Sequence, residues 1–209
     1  VNTSLRLTTL LAFPAGVGLS VLAGPILILL YPAQYDAAVA ATYHLQILGL
    51  ASVFVCIMLL TNAILQAHGR AKVPIITMLI GGAVKVAANF ILVGNPDINI
   101  KGAPIGTLLC YALICLLNLI CINRVLVSRP SYAQLFLKPL LATAGMAVVA
   151  KVSYDLLSAP LGNSLATLGA IALAAVVYVV LVMLLRIITR EDLEMLPKGE
   201  KLAKFLHVR

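Results

Sequence analysis

Six apolar stretches dominate this chain, at residues 10–30, 45–67, 74–93, 103–122, 137–157 and 165–187. A helix rises about 1.5 Å per residue, so about 20 apolar residues cross the roughly 30 Å of hydrocarbon in a bilayer. No water at that depth satisfies backbone N–H and C=O groups, which leaves helices as the spanning form for stretches of this length. The pattern predicts an all-α, polytopic membrane protein with six transmembrane helices. Composition agrees: of 209 residues, 62% are hydrophobic and 11% charged, against about 45–50% and 25% in soluble domains. The first stretch is too long for a signal peptide and is followed by five more. Val1 is not a methionine, so a piece of a longer protein is expected.

Charge sets the expected orientation. With six spans, both termini share one side with the connections at 68–73 and 123–136. That side carries Arg6, Arg70, Lys72, Arg124, Arg129, Lys138 and the basic tail from Arg186 to Arg209, whereas the opposite connections carry only Lys101. Such asymmetry predicts cytoplasmic termini. The net charge of +8 is accounted for by a basic rim beside anionic lipid headgroups, with no nucleic acid required.

Punctuation marks the span ends. Gly69 and Gly94 are placed to take the left-handed conformation after spans two and three, and Pro74 suits the first turn of span three. Asn163 and Ser164 can cap span six. Pro14 and Pro25 predict a kinked first helix whose freed carbonyls are covered by neighbours. Tyr31, Tyr35 and Tyr43 are expected in the first outer loop. The linker NRVLVSRPSYAQLF divides four helices over 1–123 from two over 124–188. The tail at 189–209 reads as a basic interfacial helix, capped by Thr189.

Polar residues inside spans are the candidates for function. Lys85 lies in mid-span, where an ammonium costs about 2.5–3.5 kcal/mol on insertion scales. Gly81 and Asn89 lie one turn either side of it on one helix face. The stripe predicts a face turned to a polar cavity, with Gly81 leaving room for a ligand; the alternative is a lysine bonded to neighbouring carbonyls for packing alone. Asn62 and Gln66 form a second pair four residues apart, and Thr107, Tyr111 and Asn118 share a face of span four. Each set reads either as helix–helix adhesion or as cavity lining. Lys151 and Asp155 suit an interfacial ion pair. The four cysteines read as small packing residues.

Catalytic constellations are missing. Before the tail the carboxylates are Asp36, Asp97 and Asp155, all near one side, and the three histidines have no acidic neighbours in sequence. Magnesium-dependent phosphoryl transfer requires carboxylates that these spans lack. No enzyme, metal site or cofactor is expected.

In order, the stretches LRLTTLLAFPAGVGLSVLAGPILILLY, NAILQAHGRAKVPIITMLIGGAVKVAANFILVGNPDINIKGAPIGTLLCY and LEMLPKGEKLAKFL resemble the stage V sporulation protein B family. That family sits with the polysaccharide-biosynthesis and MurJ-type lipid II flippases, in the superfamily that includes multidrug and toxin extrusion transporters. The resemblance implies a protein of fourteen helices in two lobes plus two added helices. This chain would supply the C-terminal part: four helices of the second lobe, then the added pair. It also implies a bacterial cytoplasmic membrane and a lipid-linked substrate, either lipid II or an undecaprenyl-pyrophosphate-linked oligosaccharide. The missing N-terminal lobe is then a required partner, and 1–209 alone is expected not to transport. The family's best-known basic residues lie outside this chain, so Lys85, Asn89, Asn62 and Gln66 stand as candidates on chemistry alone. A cation-coupled multidrug exporter and a non-transporting assembly module are the competing readings. Spans five and six are expected to leave an apolar groove open to lipid, suited to a polyprenyl tail.

Overall fold

The computed structural model describes residues 2–125, 132–185 and 187. Six helices carry the fold: α1 (Asn2–Val21), α2 (Ala23–Leu30), α3 (Tyr35–Ala67), α4 (Lys72–Val93), α5 (Gly102–Val125) and α6 (Tyr132–Leu184). The first apolar segment is Thr3–Val21 within α1, earlier than the expected 10–30, with α2 following after a break at Leu22, and α6 folds back at Gly162, where φ is 73° and ψ 171°. Six segments are therefore long and apolar enough to cross a membrane, and no strand occurs among the described residues. The chain is an all-α, multi-pass membrane protein.

The helices lie side by side in the order α6, α1 with α2, α3, α5, α4, so α4 ends the row with α5 as its main neighbour. Arg6, Arg70, Lys72 and Arg124 flank the apolar cluster of Leu5, Leu65, Ile122 and Leu135, which defines a basic end. Glycines set the crossing of α1 and α3. A Cβ on Gly49 of α3 would lie 2.9 Å from the Gly16 carbonyl oxygen and 2.9 Å from the Ser20 nitrogen of α1. Between helices in lipid, such backbone approach maximises dispersion contact.

Several boundaries differ from the sequence expectation. α1 begins at Asn2 and runs unbroken through Pro14, and the interruption comes at Leu22, ahead of Pro25. Pro14 has no N–H to offer the Leu10 carbonyl. The Tyr178 hydroxyl donates to that carbonyl at 2.7 Å, so a neighbouring helix satisfies the freed group, as expected. Replacing Tyr178 by phenylalanine should therefore cost about 1 kcal/mol of stability. Thermal unfolding of the full-length protein in detergent measures this, and an unshifted midpoint would mean that Leu10 finds another donor.

α3 starts ten residues before the expected boundary, which puts Tyr35 and Tyr43 in the helix and not in a loop. The segment DAAVAAT is rich in the best helix former, and Asp36 in the first turn complements the helix dipole. Gly69 does adopt φ 72°. Around it, Arg70 N–H donates to the Leu65 carbonyl and Gly69 N–H to that of Gln66, the paired bonds of a Schellman motif. Gly94 keeps a right-handed φ of −69°, and Asn99 takes the left-handed turn instead, at φ 50°.

The groove expected between spans five and six is filled. A Cβ on Gly145 would meet Leu181 at 2.7 Å, and one on Gly169 would meet Leu157 at 3.3 Å. Between these points Ala150, Ala170 and Ala174 are buried with Met146 and Leu22. Small side chains let the two halves of α6 approach along their length. Asn163 accepts from the Tyr154 hydroxyl at 2.7 Å and donates to the Pro25 carbonyl at 3.3 Å. It ties the bend to α2 through its side chain. Lys151 and Asp155 are both exposed and form no ion pair with each other. The tail at 189–209, with its cap Thr189, lies outside the described residues.

Candidate functional site

α4 and α5 run antiparallel, and each turn of one meets a turn of the other. Thr77 bonds Asn118, Gly81 faces Ile114, Asn89 faces Gly106, and Leu92 faces Gly102. Lys85 falls in this ladder opposite Cys110, whose thiol lies within the field of its ammonium. Steps of about four residues up α4 thus match steps of four down α5, the spacing of a single helix face. At most levels one partner is small, which lets the helices close.

Lys85 is partly buried in the seam, near the centre of α4. Among the described residues it has no hydrogen-bond or ion-pair partner. Asp36 lies in the first turn of α3, Asp97 beyond α4 and Asp155 about two turns before the bend of α6 at Gly162, and none of them pairs with Lys85. An ammonium held there without a carboxylate carries a desolvation cost that water or an anion would remove.

Asn89 sits one turn further along. Its Oδ1 is buried with no conventional hydrogen bond and presses on Gly106 so closely that a Cβ there would overlap it. The far end of α4 borders an open depression of about 570 Å³, lined by Asn89, Phe90, Ile91, Val93, Gly94 and Asn95. Lys85 does not line that depression. Gly81 leaves no room for a ligand, because Ile114 occupies the space over it. Its role is close helix packing.

The structure separates Asn62 from Gln66. Gln66 is exposed near the basic end of α3. Asn62 is buried and its Oδ1 accepts from the Asn118 amide at 2.7 Å. Asn118 also donates to the Thr61 hydroxyl at 3.1 Å and accepts from the Thr77 hydroxyl at 2.8 Å. One amide thus joins α3, α4 and α5 in a closed polar clasp, and Asn62 is committed to it. Sequence spacing pairs residues on one helix. It cannot show that Asn62, Thr77 and Asn118 meet across three. Nothing in the sequence spacing points to Gly106, one small residue among several in IKGAPIGT.

Among the described residues, no three histidine, cysteine or acidic side chains come together to hold a metal. The four cysteines are free thiols.

No family model matches the sequence, and no solved structure matches it. Two proteins of Bacillus subtilis (strain 168) are similar to it. The uncharacterized membrane protein YabM is 29% identical over 221 residues, which take in 100% of this chain and 39% of that protein. Stage V sporulation protein B is 29% identical over 139 residues, covering 65% of this chain and 26% of that protein. The chain is a distant relative of both, and spans well under half the length of either.

Proposed function

We propose that this chain is the C-terminal part of a flippase that carries a lipid-linked sugar across the bacterial cytoplasmic membrane, with Lys85 holding the phosphate of the substrate. The observation that carries this reading is the partly buried Lys85, which has no partner among the described residues. An enclosed ammonium without a carboxylate suits an anionic cargo, and a lysine attracts a phosphate as a point charge without fixing its orientation. The distant likeness to stage V sporulation protein B and the resemblance to lipid-linked sugar flippases support the same direction. They also support a transporter in preference to an enzyme.

In this proposal α1 to α5 belong to a second lobe, and α6 supplies the two added helices. The first lobe faces the open side of the α4–α5 seam, and the basic end lies in the cytoplasm. A cation-coupled exporter is disfavoured, because no carboxylate of the described residues pairs with Lys85.

Reconstitution tests the proposal. The full-length protein in proteoliposomes should move a fluorescent undecaprenyl-pyrophosphate-linked sugar between leaflets, and absence of movement would refute it. Orientation is checked in a cysteine-free background. A cysteine at position 70 should label from the cytoplasmic face only, and one at position 97 from the outer face only. The reverse pattern would overturn the assigned sidedness.

A further inference from the structure

We infer that Gly106 is a positioning residue that locks the Asn89 amide, so that Lys85 and Asn89 together present hydrogen-bond donors alone to a phosphate oxygen. The inference rests on the proposed role of Lys85 and deepens it. Asn89 Oδ1 is buried and has no N–H or O–H partner, yet it lies directly over the Gly106 α-carbon. A Cα–H group is a weak donor, and such contacts recur where helices pack closely. The carbonyl side of the amide is therefore the side that belongs against Gly106, since an NH₂ group there would set hydrogens against hydrogens.

With the oxygen sealed in the seam, Nδ2 is turned outwards. It has no hydrogen-bond partner among the described residues and is not fully buried, so it stays accessible. Lys85 lies one turn away on the same face. An ammonium and an NH₂ offer donors and no acceptor. Such a pair complements an anionic oxygen and gives a metal cation nothing to bind. The same donors suit a pyrophosphate-linked carrier or an ordinary anionic lipid headgroup, because both present phosphate oxygens.

The test follows the Asn89 side-chain NH₂ signal by nitrogen-15 NMR in the full-length protein, held in phosphatidylcholine nanodiscs and identified by its loss in Asn89→Leu. Inorganic pyrophosphate should shift it. A shift produced by phosphatidylglycerol nanodiscs alone would keep the donor pair and make the lipid headgroup its ligand. A shift with sodium ions and with neither anion would overturn the inference. Gly106→Ala and Asn89→Leu should each weaken pyrophosphate binding about tenfold, the size of one hydrogen bond to a charged group.

Gly106→Ala combined with Asn89→Leu should bind no more weakly than Asn89→Leu alone, because the glycine acts through the amide. Circular dichroism and unfolding midpoints separate this from loss of fold. If Lys85→Ala weakens binding while Gly106→Ala and Asn89→Leu do not, the orienting role is wrong and the proposed function stands. If none of the three binds pyrophosphate less tightly than the parent, the role of Lys85 falls as well.

Discussion

Asn118→Leu should destabilise the full-length protein by about 2–4 kcal/mol, as the sum of one orphaned buried acceptor and two weaker losses. The losses are unequal. Thr61 and Thr77 keep backbone acceptors for their hydroxyl protons, at Met58 and Pro74. Asn62 Oδ1 loses the Asn118 amide and has no other donor among the described residues. The magnitude therefore turns on Asn62, and the double variant Asn62→Leu with Asn118→Leu should recover most of the loss, since removing both partners leaves nothing unsatisfied. Unfolding in detergent with increasing dodecyl sulfate measures each variant. A single variant within about 0.5 kcal/mol of the parent would show that the clasp adds little to stability, as exposed pairs do.

That clasp also marks the limit of what the sequence made legible. The apolar stretches are long enough that the count of spans follows from length alone, and the described residues hold six helical segments long and apolar enough to cross a membrane. Gly69 was readable because a helix ending in a turn with φ 72° favours glycine. The start of α3 was not, since its first turns are alanine-rich and outside the bilayer-length pattern, so local helix propensity and not hydrophobicity decides the boundary. The spacing of Asn62 and Gln66 correctly put them on adjacent turns. Their fates diverge because α5 supplies Asn118 beside Asn62, whereas Gln66 is exposed. Register between helices is a property of pairs of surfaces, and here glycines set it: Gly81 against Ile114, Gly106 against Asn89, Gly102 against Leu92. A single chain read residue by residue shows the glycines but not their partners. The expected groove in α6 failed for the same reason. Sequence spacing gives its alanines and glycines no partners, whereas in three dimensions they are what closes the two halves together.

Lys85→Met should raise stability and lower substrate binding in the same protein, and the opposite signs are what identify a functional residue. Methionine keeps the length of the side chain and removes the charge. On insertion scales that change favours the membrane-embedded state by about 3 kcal/mol, less whatever water now solvates the ammonium. If the lysine had no part in substrate binding, the variant would be more stable and equally active. If it holds a phosphate, affinity for the pyrophosphate-linked substrate should fall about 10- to 100-fold, the equivalent of one or two charge-assisted hydrogen bonds.

Lys85→Arg keeps the charge but swaps a compact ammonium for a planar fork that must fit opposite Cys110. It should retain part of the activity, with a weaker grip on the substrate. Lys85→Glu reverses the field at the seam and should abolish binding of any anion. Equilibrium binding of the fluorescent lipid-linked sugar, measured beside unfolding midpoints for all three variants, decides the matter. A Lys85→Met protein that binds and moves substrate like the parent would leave the ammonium without a role in transport. The seam would then be no more than a packed helix pair. A variant that is both less stable and less active would place Lys85 in the structural framework of the α4–α5 contact.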